Sequence, residues 1–363
     1  MIKKIVLTGG PGSGKTTVIE SIKTNFGGKY KVIVVDETAS YLINMGLRPF
    51  GDNPINMVDF QELVLKTQLA KEGIIERGVE LLPDENILLI YDRGLLDNCA
   101  YITEKEFSEV LSRLDTKHTI SEFLERYDLV INLVSRKDFY TLDNNPARSE
   151  AVEEALELGN KTLNAWIGHK NIKIVLPKDD VDEKIKEVLN HINNLLEEKE
   201  VKRQAKYLID LDTIDMNHLV QISKRAHITQ DYLESDETTE KRLRKIKMQG
   251  VTTYNYTVFK TLEDGRKVKV SDEAISEKIY EKLLEFKSDK KHTIEKERFY
   301  FPYEDEYFTL DIIGNIAVLE INIGENEKVK IPSFLEAIED VTNNPNYKNQ
   351  NIAKNLNKQL VKK

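Results

Sequence analysis

The stretch that decides the fold of the first half of the chain is Gly9-Gly10-Pro11-Gly12-Ser13-Gly14-Lys15-Thr16. It follows a short apolar run, Lys4–Thr8, and precedes a helical pattern over Thr17–Asn25. The spacing matches G-x-x-x-x-G-K-[ST], a motif that requires a strand before it and a helix after it. Glycines let successive backbone N–H groups turn toward an anion, and the start of the following helix favours negative charge. Gly9–Thr16, named here the phosphate loop, is therefore predicted to bind the phosphates of a nucleoside triphosphate.

The residues of the phosphate loop have distinct expected roles. Lys15 is expected to reach the β- and γ-phosphates, and the Thr16 hydroxyl is expected to bind Mg²⁺. A guanine-specificity pattern, Asn-Lys-x-Asp, is not matched by Asn160-Lys161-Thr162-Leu163. The predicted cofactors are therefore Mg²⁺ and ATP, with GTP left open. The residues expected to surround the nucleotide are Gly9, Gly10, Pro11, Gly12, Ser13, Gly14, Lys15, Thr16 and Thr17.

Strands and helices alternate outward from the phosphate loop. Helical spacing covers Asn56–Glu80 and Val181–Glu198. Continuous apolar runs rich in β-branched residues predict further buried strands at Lys31–Val35, Asn86–Tyr91, Leu129–Val134 and Ile172–Leu176. Such runs separated by helices are typical of a parallel sheet that is covered on both faces. The first half is therefore predicted to be an α/β domain.

An acidic residue ends the predicted strand Asn86–Tyr91. Asp92 occupies the position in which a Walker B aspartate holds the water shell of Mg²⁺. The alternative is an acid that only caps the next helix. Arg93, Gly94 and Asp97 follow it in a D-R-G-x-x-D loop. We expect Asp92 to act near the metal.

Two further charged residues are catalytic candidates. Glu37 follows the second strand, where a carboxylate can face the γ-phosphate as a general base. The alternative is that Asp36-Glu37-Thr38 only caps the next helix. Arg148 lies in a turn-rich stretch before a helix and is predicted to be a lid arginine, although a solvent-exposed arginine fits the spacing equally. The six histidines show no metal-ligand spacing, and His169 is expected to be structural.

Residues 1–196 resemble the P-loop kinase/ATPase domain of the nicotinamide-riboside-kinase (NadR-like, AAA) type. The resemblance implies Lys15 and Thr16 on the phosphates and Mg²⁺, Asp92 near the metal, and Arg148 in a lid. It leaves the acceptor open, because related domains include both kinases and ATPases. The stretches that carry it are the phosphate loop, Asp36–Ala39 with Gly46 and Pro49, Asp92-Arg93-Gly94 with Asp97, Asn145-x-x-Arg148, and Trp166-x-Gly168-His169.

The pattern changes near residues 197–202, which predicts two domains, 1–197 and 202–356. Polar and apolar residues then alternate, as in the strands of an antiparallel sheet or barrel. The alternating segments are Lys202–Asp210, Lys241–Met248, Thr252–Lys260, Arg266–Ser271, Thr293–Phe301, Tyr307–Ile312 and Ala317–Ile323.

Basic residues recur at alternate positions in these segments. Arg242-Leu243-Arg244 and Lys296-Glu297-Arg298 place paired cations at i and i+2, and Lys260 ends another segment. Residues at i and i+2 of a strand point to one face. These cations are therefore predicted to converge on a cavity that binds a polyanion, against the alternative of a solvated sheet face.

From about Lys202 to Leu356 the chain resembles the CYTH, or triphosphate tunnel, family. The resemblance implies an antiparallel tunnel whose cations, Lys206 among them, grip a triphosphate while glutamates bind metal. The first-strand glutamates of that family are replaced here by Lys202 and Gln204. We therefore expect this domain to bind a phosphorylated ligand rather than hydrolyse it. The remaining positions that carry the resemblance are Arg242, Arg244, Lys260, Lys296, Arg298, Asp311, Glu320-Ile321-Asn322 and Pro332–Leu335.

The composition of the chain bears on its partners, its disulfide bonds and its location. The 363 residues carry a formal net charge of −9, which makes nucleic acid an unlikely partner. A single cysteine, Cys99, allows no internal disulfide, and neither a membrane span nor a signal peptide is predicted. A cytoplasmic location is expected.

Three functions remain open from the sequence. The first is a Mg²⁺-dependent NTPase or small-molecule kinase with a ligand site in the second domain. The second is a nucleotide-switched binding protein that recognises polyphosphate, a phosphoinositide headgroup or another phosphorylated molecule. The third is a triphosphatase that works in the tunnel, which the replacements at Lys202 and Gln204 disfavour.

Overall fold

The computed structural model describes residues 1–83, 86–116, 118–135, 146–197, 203–248, 250–262, 267–323 and 329–353, without the side chains of 146–152, 203 and 323. The chain divides into two compact units, Met1–Val201 with Glu304–Glu306 and Lys202–Tyr303 with Tyr307–Lys363. In the described ranges no helix has both the length and the hydropathy needed to span a membrane.

The first unit is built on a parallel sheet in the order β2-β3-β1-β4-β5. Its described strands are β1 (Ile2–Thr8), β2 (Lys31–Val35), β3 (Ile87–Asp92), β4 (Leu129–Leu133) and β5 (Ile172–Val175). The helices are α1 (Lys15–Phe26), α2 (Thr38–Asn44), α3 (Met57–Glu80), α4 (Glu104–Ser112), α5 (Ile120–Glu125), α6 (Pro146–Ala165) and α7 (Val181–Leu196), with a 3₁₀ turn at Leu95–Ala100. The predicted α/β architecture is confirmed.

Apolar side chains from both faces of this sheet are buried. Helices α1 and α7 cover one face, where Ile5, Leu88 and Ile131 belong to a single cluster with Ile22 and Val188. Because successive strand residues point to opposite faces, the other face is formed by the alternate set. That set is also buried and includes Val6, Leu89, Tyr91 and Val130. The carboxyl ends of the parallel strands meet at one edge, which is where the sequence places its charged candidates.

The second unit is an antiparallel sheet in the order β10-β9-β8-β7-β11-β12-β13-β6-β14. Its described strands are β6 (Arg203–Ile209), β7 (Lys224–Leu233), β8 (Thr239–Met248), β9 (Val251–Thr261), β10 (Lys267–Ile275), β11 (Ile294–Tyr303), β12 (Glu306–Ile313), β13 (Ile316–Ile323) and β14 (Ala337–Asp340). The described part of this unit also includes α8 (Met216–Ile222) and α9 (Glu277–Leu284). The predicted antiparallel sheet is confirmed, whereas its closure into a tunnel stays an expectation.

Strand β7 was not predicted, although it lies in the middle of the sheet. The alternation of apolar and polar residues along this strand is interrupted, because Gln230 and Asp231 are adjacent polar residues and both are buried. Two adjacent buried polar residues remove the alternation by which a half-buried strand is usually identified. The strand lies between the two basic pairs, because it is hydrogen-bonded to β8 on one side and to β11 on the other.

Candidate functional site

At three positions the backbone of the phosphate loop has a conformation that only glycine adopts readily. Gly9, Gly12 and Gly14 have φ angles of 140°, 69° and 85°. A Cβ on Gly9 would overlap the carbonyl oxygen of Leu133, and one on Gly10 would lie 2.8 Å from that of Ala155. Positive φ and close backbone approach therefore both require the glycines of this loop.

Lys15 begins α1 and turns back toward the loop. Its Nζ lies 3.3 Å from the Gly9 carbonyl oxygen. Burial, with the nearby Arg93 guanidinium, lowers the pKa of Lys15, while the carboxylates of Asp92 and Asp97 oppose that shift. A partly desolvated ammonium beside a glycine-rich loop is suited to binding phosphate oxygens. Thr16 and Thr17 are both exposed on the same turn.

Asp92 stands next to this loop at the end of β3, where it is paired in register with Leu7 of β1. Its Oδ1 is buried and has no hydrogen-bond partner among the described residues. Burial is the largest cause of the raised pKa of Asp92, and the Lys15 ammonium opposes it. A buried carboxylate oxygen without a partner could accept a hydrogen bond from a water molecule of a Mg²⁺ shell, because this ion usually keeps several of its waters in proteins.

Glu37 does not cap α2 with its side chain, although it occupies the residue before the helix. Its Oε1 accepts a hydrogen bond from Arg93 Nε at 2.5 Å, and its Oε2 accepts one from Ser40 at 2.6 Å. Burial raises the pKa of Glu37, but the Arg93 guanidinium and these hydrogen bonds bring it below the ordinary value. Glu37 is therefore ionised at neutral pH and held in an ion pair.

Arg93 is the centre of the charged group that follows β3. It has a φ of 71°, which is uncommon for a residue with a side chain. It reaches Asp97 at 3.4 Å, and Asp97 also accepts bonds from Thr8 and from Trp166 Nε1. Asp97 is 2% exposed, so the end of β1 and the end of β3 are joined through a buried carboxylate.

Two other residues named from the sequence, and two that were not, complete the description of this edge of the sheet. His169 is buried and bonded through both ring nitrogens, which is a structural role. The side chain of Arg148 lies outside the described part of the chain. Lys184 and Ser135, which the sequence did not single out, donate hydrogen bonds to phosphate-loop carbonyl oxygens. A cavity of about 210 Å³ adjoins the loop between Gly12–Gly14 and the start of α7.

Five of the six cations predicted for the second unit lie on one face of its sheet. Directly paired residues of neighbouring strands share a face. Lys206 is paired with Glu320, and Arg244 with Gln230. Direct pairs from β6 to β10, together with the side-chain bonds between β11 and β12, place further polar side chains on this face, which is named here the polar face. Its polar members include Gln204, Lys206, Glu320, Asp311, Lys296, Arg298, Gln230, Glu240, Arg242, Arg244, Asn255, Thr257 and Asp272.

Three cations of the polar face are neutralised by carboxylates. Asp311 accepts bonds from Lys296 at 2.5 Å and from Arg298 at 2.6 and 2.7 Å. Glu320 accepts bonds from Lys206 and Gln204, with Arg298 3.5 Å away. Burial opposes ionisation of Asp311, but the two cations hold its pKa well below the ordinary value. Both oxygens of each carboxylate are therefore occupied by side chains of this unit.

Arg242 and Arg244 differ from those cations, because neither forms an ion pair with a carboxylate in the described ranges. Arg244 donates to the neutral Gln230 amide at 2.9 Å, and Arg242 lies 4.7 Å from the centre of the Phe259 ring. The Arg242 Nε is buried and has no hydrogen-bond partner in the part of the chain that the structure describes. Burial and the other nearby guanidinium groups lower the pKa of Arg244 to about 9.

One predicted member of this site, Lys260, does not join the polar face. Lys260 is exposed and paired with Thr239. It lies an odd number of residues from Thr257 in β9, so strand alternation places it on the opposite face. Lys202 lies outside the described residues.

These features together define the class of the first unit: a strand, a glycine-rich phosphate loop and a helix, with an acid at the end of the neighbouring strand. Residues 4–184 match the sequence model of the family described as an AAA domain. The N-terminal unit is thus an AAA-type P-loop nucleotide-binding domain. No match to a curated protein was found.

Solved structures that resemble parts of the chain include both kinase and triphosphatase folds. Thymidylate kinase from Ehrlichia chaffeensis is 14% identical and covers 53% of this chain and 98% of its own, with a TM-score of 0.37. The inorganic triphosphatase NE1496 is 19% identical and covers 42% and 95%, with a TM-score of 0.31. The PH1012 protein from Pyrococcus horikoshii OT3 is 12% identical and covers 35% and 80%, with a TM-score of 0.26. These similarities are too weak to assign a function to either unit.

Proposed function

We propose that the N-terminal unit binds ATP or GTP with Mg²⁺ and hydrolyses it or transfers its γ-phosphoryl group. The observation that carries this proposal is the juxtaposition, at one sheet edge, of the phosphate loop, the Lys15 ammonium and the Asp92 carboxylate. The Asp92 oxygen that lacks a partner supports a role beside a hydrated metal ion.

Each residue has a role that its surroundings support. Lys15 and the loop amides would bind and orient the phosphates, the Thr16 hydroxyl would help to hold Mg²⁺, and Asp92 would accept hydrogen bonds from its water shell. When bound, Mg²⁺ neutralises charge on the β- and γ-phosphates. Glu37, ionised and held by Arg93, orients an acceptor or water, and serves as a base only if Arg93 releases it. Arg148 remains the proposed lid cation.

The test is nucleotide binding and turnover by the full chain with Mg²⁺. Lys15→Met removes the ammonium and keeps most of the stem, so we expect turnover to fall by about 100-fold or more, as when one electrostatic contact to a developing charge is lost. Lys23→Met is the matched control, since Lys23 lies on the same helix, is exposed and pairs with Glu20 one turn away. Equal turnover in wild type and Lys15→Met would remove the phosphate loop from the reaction.

For the second unit we propose a binding site for a phosphorylated small molecule, polyphosphate or a phosphoinositide headgroup, centred on Arg242 and Arg244. Two guanidinium groups without carboxylate partners in the described ranges repel each other, and a polyanion relieves that repulsion. Asp311 and Glu320 are already occupied by internal donors, and Glu240 and Asp272 are paired with Lys267 and Lys269. None of these four acids therefore offers a free carboxylate to a divalent ion. The proposed binding is therefore independent of metal.

The test is calorimetric titration of the full chain, in the Lys15→Met background, with inorganic triphosphate in EDTA. We expect Arg242→Gln/Arg244→Gln to weaken binding by at least about tenfold, because charge-assisted hydrogen bonds are lost. Lys260→Gln is the matched control, because Lys260 is a cation of the adjacent strand that lies on the other face. Binding that requires Mg²⁺, or that is equal in the double variant, contradicts this assignment.

The two remaining functions give different results in the same assays. A nucleotide-switched binding protein shows slow hydrolysis and a tunnel-ligand affinity that depends on the nucleotide bound. Linkage then requires that the ligand change nucleotide affinity by the same factor. A triphosphatase of the second unit keeps its activity in Lys15→Met.

A further inference from the structure

The carbonyl oxygens of the phosphate loop accept hydrogen bonds from donors both inside and outside the loop. Inside the loop, Gly9 O accepts from Lys15 Nζ at 3.3 Å and Gly10 O accepts from Ser13 N at 3.3 Å. The next two contacts come from elsewhere in the fold. Ser135 Oγ donates to Pro11 O at 3.0 Å, and Lys184 Nζ donates to Ser13 O at 3.0 Å.

Lys184 joins three parts of the domain at this corner. It lies on α7, and the same ammonium also donates to the carbonyl oxygen of Val134 at 3.1 Å. Val134 and Ser135 directly follow β4, so both donors are fixed to the central sheet. Ser135 is 5% exposed, and Lys184 is half-buried. Burial lowers the pKa of Lys184 to about 8, so the ammonium is mostly charged at neutral pH.

Fixing a carbonyl oxygen also fixes the N–H of the same peptide unit. In a planar trans peptide the C=O and N–H bonds point in opposite directions. The bond to Ser13 O therefore directs the Gly14 N–H to the other side, and the bond to Pro11 O does the same for the Gly12 N–H. Neither amide donates to a backbone acceptor in the described ranges. Both are available to an anion.

We propose that Ser135 and Lys184 are positioning residues that hold the phosphate loop in its anion-binding conformation before a nucleotide arrives. This inference rests on the proposed nucleotide-binding function. Glycine is the residue that loses the most conformational entropy on ordering, and the loop contains four glycines among its eight residues. Holding such a loop in advance removes that cost from binding and so raises affinity.

The proposal predicts a loss of affinity that depends on phosphate. Lys184→Met keeps the aliphatic stem and removes the donor, and we expect the Kd for ADP to rise about tenfold. Ser135→Ala should raise it by a smaller factor, because a neutral donor is lost. The Kd for adenosine should change less than about twofold in both. Lys186→Met, an exposed lysine of the same helix, is the control. Competition against a fluorescent nucleotide measures each value, with GDP and guanosine if wild type prefers guanine.

Two results overturn the proposal. An unchanged Kd for ADP in Lys184→Met shows that the bond to Ser13 O does not prepare the loop. An equal loss for ADP and adenosine shows that Lys184 acts on the base or on general stability instead.

Hydrogen exchange of the nucleotide-free chain separates this proposal from the proposed function. Faster exchange of the loop amides in Lys184→Met than in wild type and Lys186→Met supports the positioning role even if neither nucleotide binds. Unchanged exchange contradicts it.

Discussion

At the scale of single residues, Asp92 combines a structural cost with a chemical use. Its buried oxygen lacks a partner among the described residues, and burial is the main reason that its pKa lies above the ordinary value of 3.8. A folded pKa above the unfolded value means that stability decreases as pH rises through the folded pKa. At neutral pH the ionised group therefore destabilises the apoprotein, which is a frequent property of functional sites.

The variant Asp92→Asn should separate these two effects. We expect Mg²⁺-dependent turnover to fall by about 100-fold or more, because the charge beside the metal is lost. The thermal midpoint without nucleotide should be equal to or higher than that of wild type at pH 7, and the difference should shrink as pH falls toward 3.8. Turnover assays and thermal melts over this pH range measure both. A large loss of apoprotein stability would show that Asp92 is structural.

His169 has a single tautomer that its contacts determine. Its Nδ1 accepts the Asn171 N–H at 3.0 Å, so the proton of the neutral ring lies on Nε2, which donates to Tyr127 O at 3.0 Å. Burial, with Lys170 as a smaller contribution, lowers the pKa of His169 to about 4. Protonation is therefore disfavoured in the folded state.

This lowered pKa predicts a defined pH dependence. Because the folded pKa lies below the unfolded value of 6.5, the stability from the neutral ring is present above pH 6.5 and is lost as pH falls toward about 4. The full loss is roughly 3 kcal/mol. We expect His169→Gln to flatten the stability profile of the first unit between pH 6.5 and 4. Thermal melts at matched pH values check this, and an equally steep profile in the variant would refute it.

The residue scale also shows what a sequence can reveal about this site. Lys15 and Asp92 were predictable because a motif and a strand end fix their positions. Ser135 and Lys184 carry no such signal. Ser135 is a serine just after a strand and belongs to no motif, and Lys184 is one of many charged residues on an amphipathic helix. Their role depends on which backbone oxygens the fold brings within reach.

At the scale of elements, the turn after β3 requires glycine at position 94 because of its contact with Trp166, which follows α6. The dihedral angles of Gly94 do not impose this requirement. Gly94 has an ordinary φ of −107°, yet a Cβ there would lie 2.5 Å from Cζ2 of Trp166. The indole is fully buried and bonded to Asp97, so it cannot move aside easily. Glycine at this position allows the strand end to approach the indole.

Two glycine substitutions test the importance of this packing. Gly94→Ala should lower the free energy of unfolding by about 1–3 kcal/mol, the usual cost of overpacking. Gly73→Ala, in the exposed middle of α3, adds a methyl group that would meet no atom within 4 Å. It should raise the free energy of unfolding by up to about 1 kcal/mol, because alanine favours the helix. Denaturant unfolding of both variants provides the comparison. A neutral Gly94→Ala would mean that Trp166 can shift.

The elements of the first unit were more predictable than those of the second. Continuous apolar strands between helices define a parallel sheet, and the strands observed follow the predicted ones closely. In the second unit, β7 was missed because buried polar residues interrupt its alternation. Lys260 was assigned to the wrong face because a one-residue difference in a strand reverses the side. The face on which a residue lies is determined by its pairing with neighbouring strands, and the sequence of one strand does not give that pairing.

At the scale of the whole molecule, the two units carry different chemistry. The first unit has the loop, lysine and strand-end acid on which the proposed phosphoryl chemistry rests, whereas the acids of the polar face in the second unit are engaged by its own cations. The central claim is that nucleotide turnover belongs to the first unit and metal-independent anion binding to the second.

The most direct test is MgATP and MgGTP turnover by three full-length proteins: wild type, Lys15→Ala, and Arg242→Gln/Arg244→Gln. We expect turnover to be lost in Lys15→Ala and retained, within about threefold, in the double arginine variant. Retained turnover in Lys15→Ala together with its loss in the arginine variant would contradict the central claim, because it would place the reaction on the polar face of the second unit.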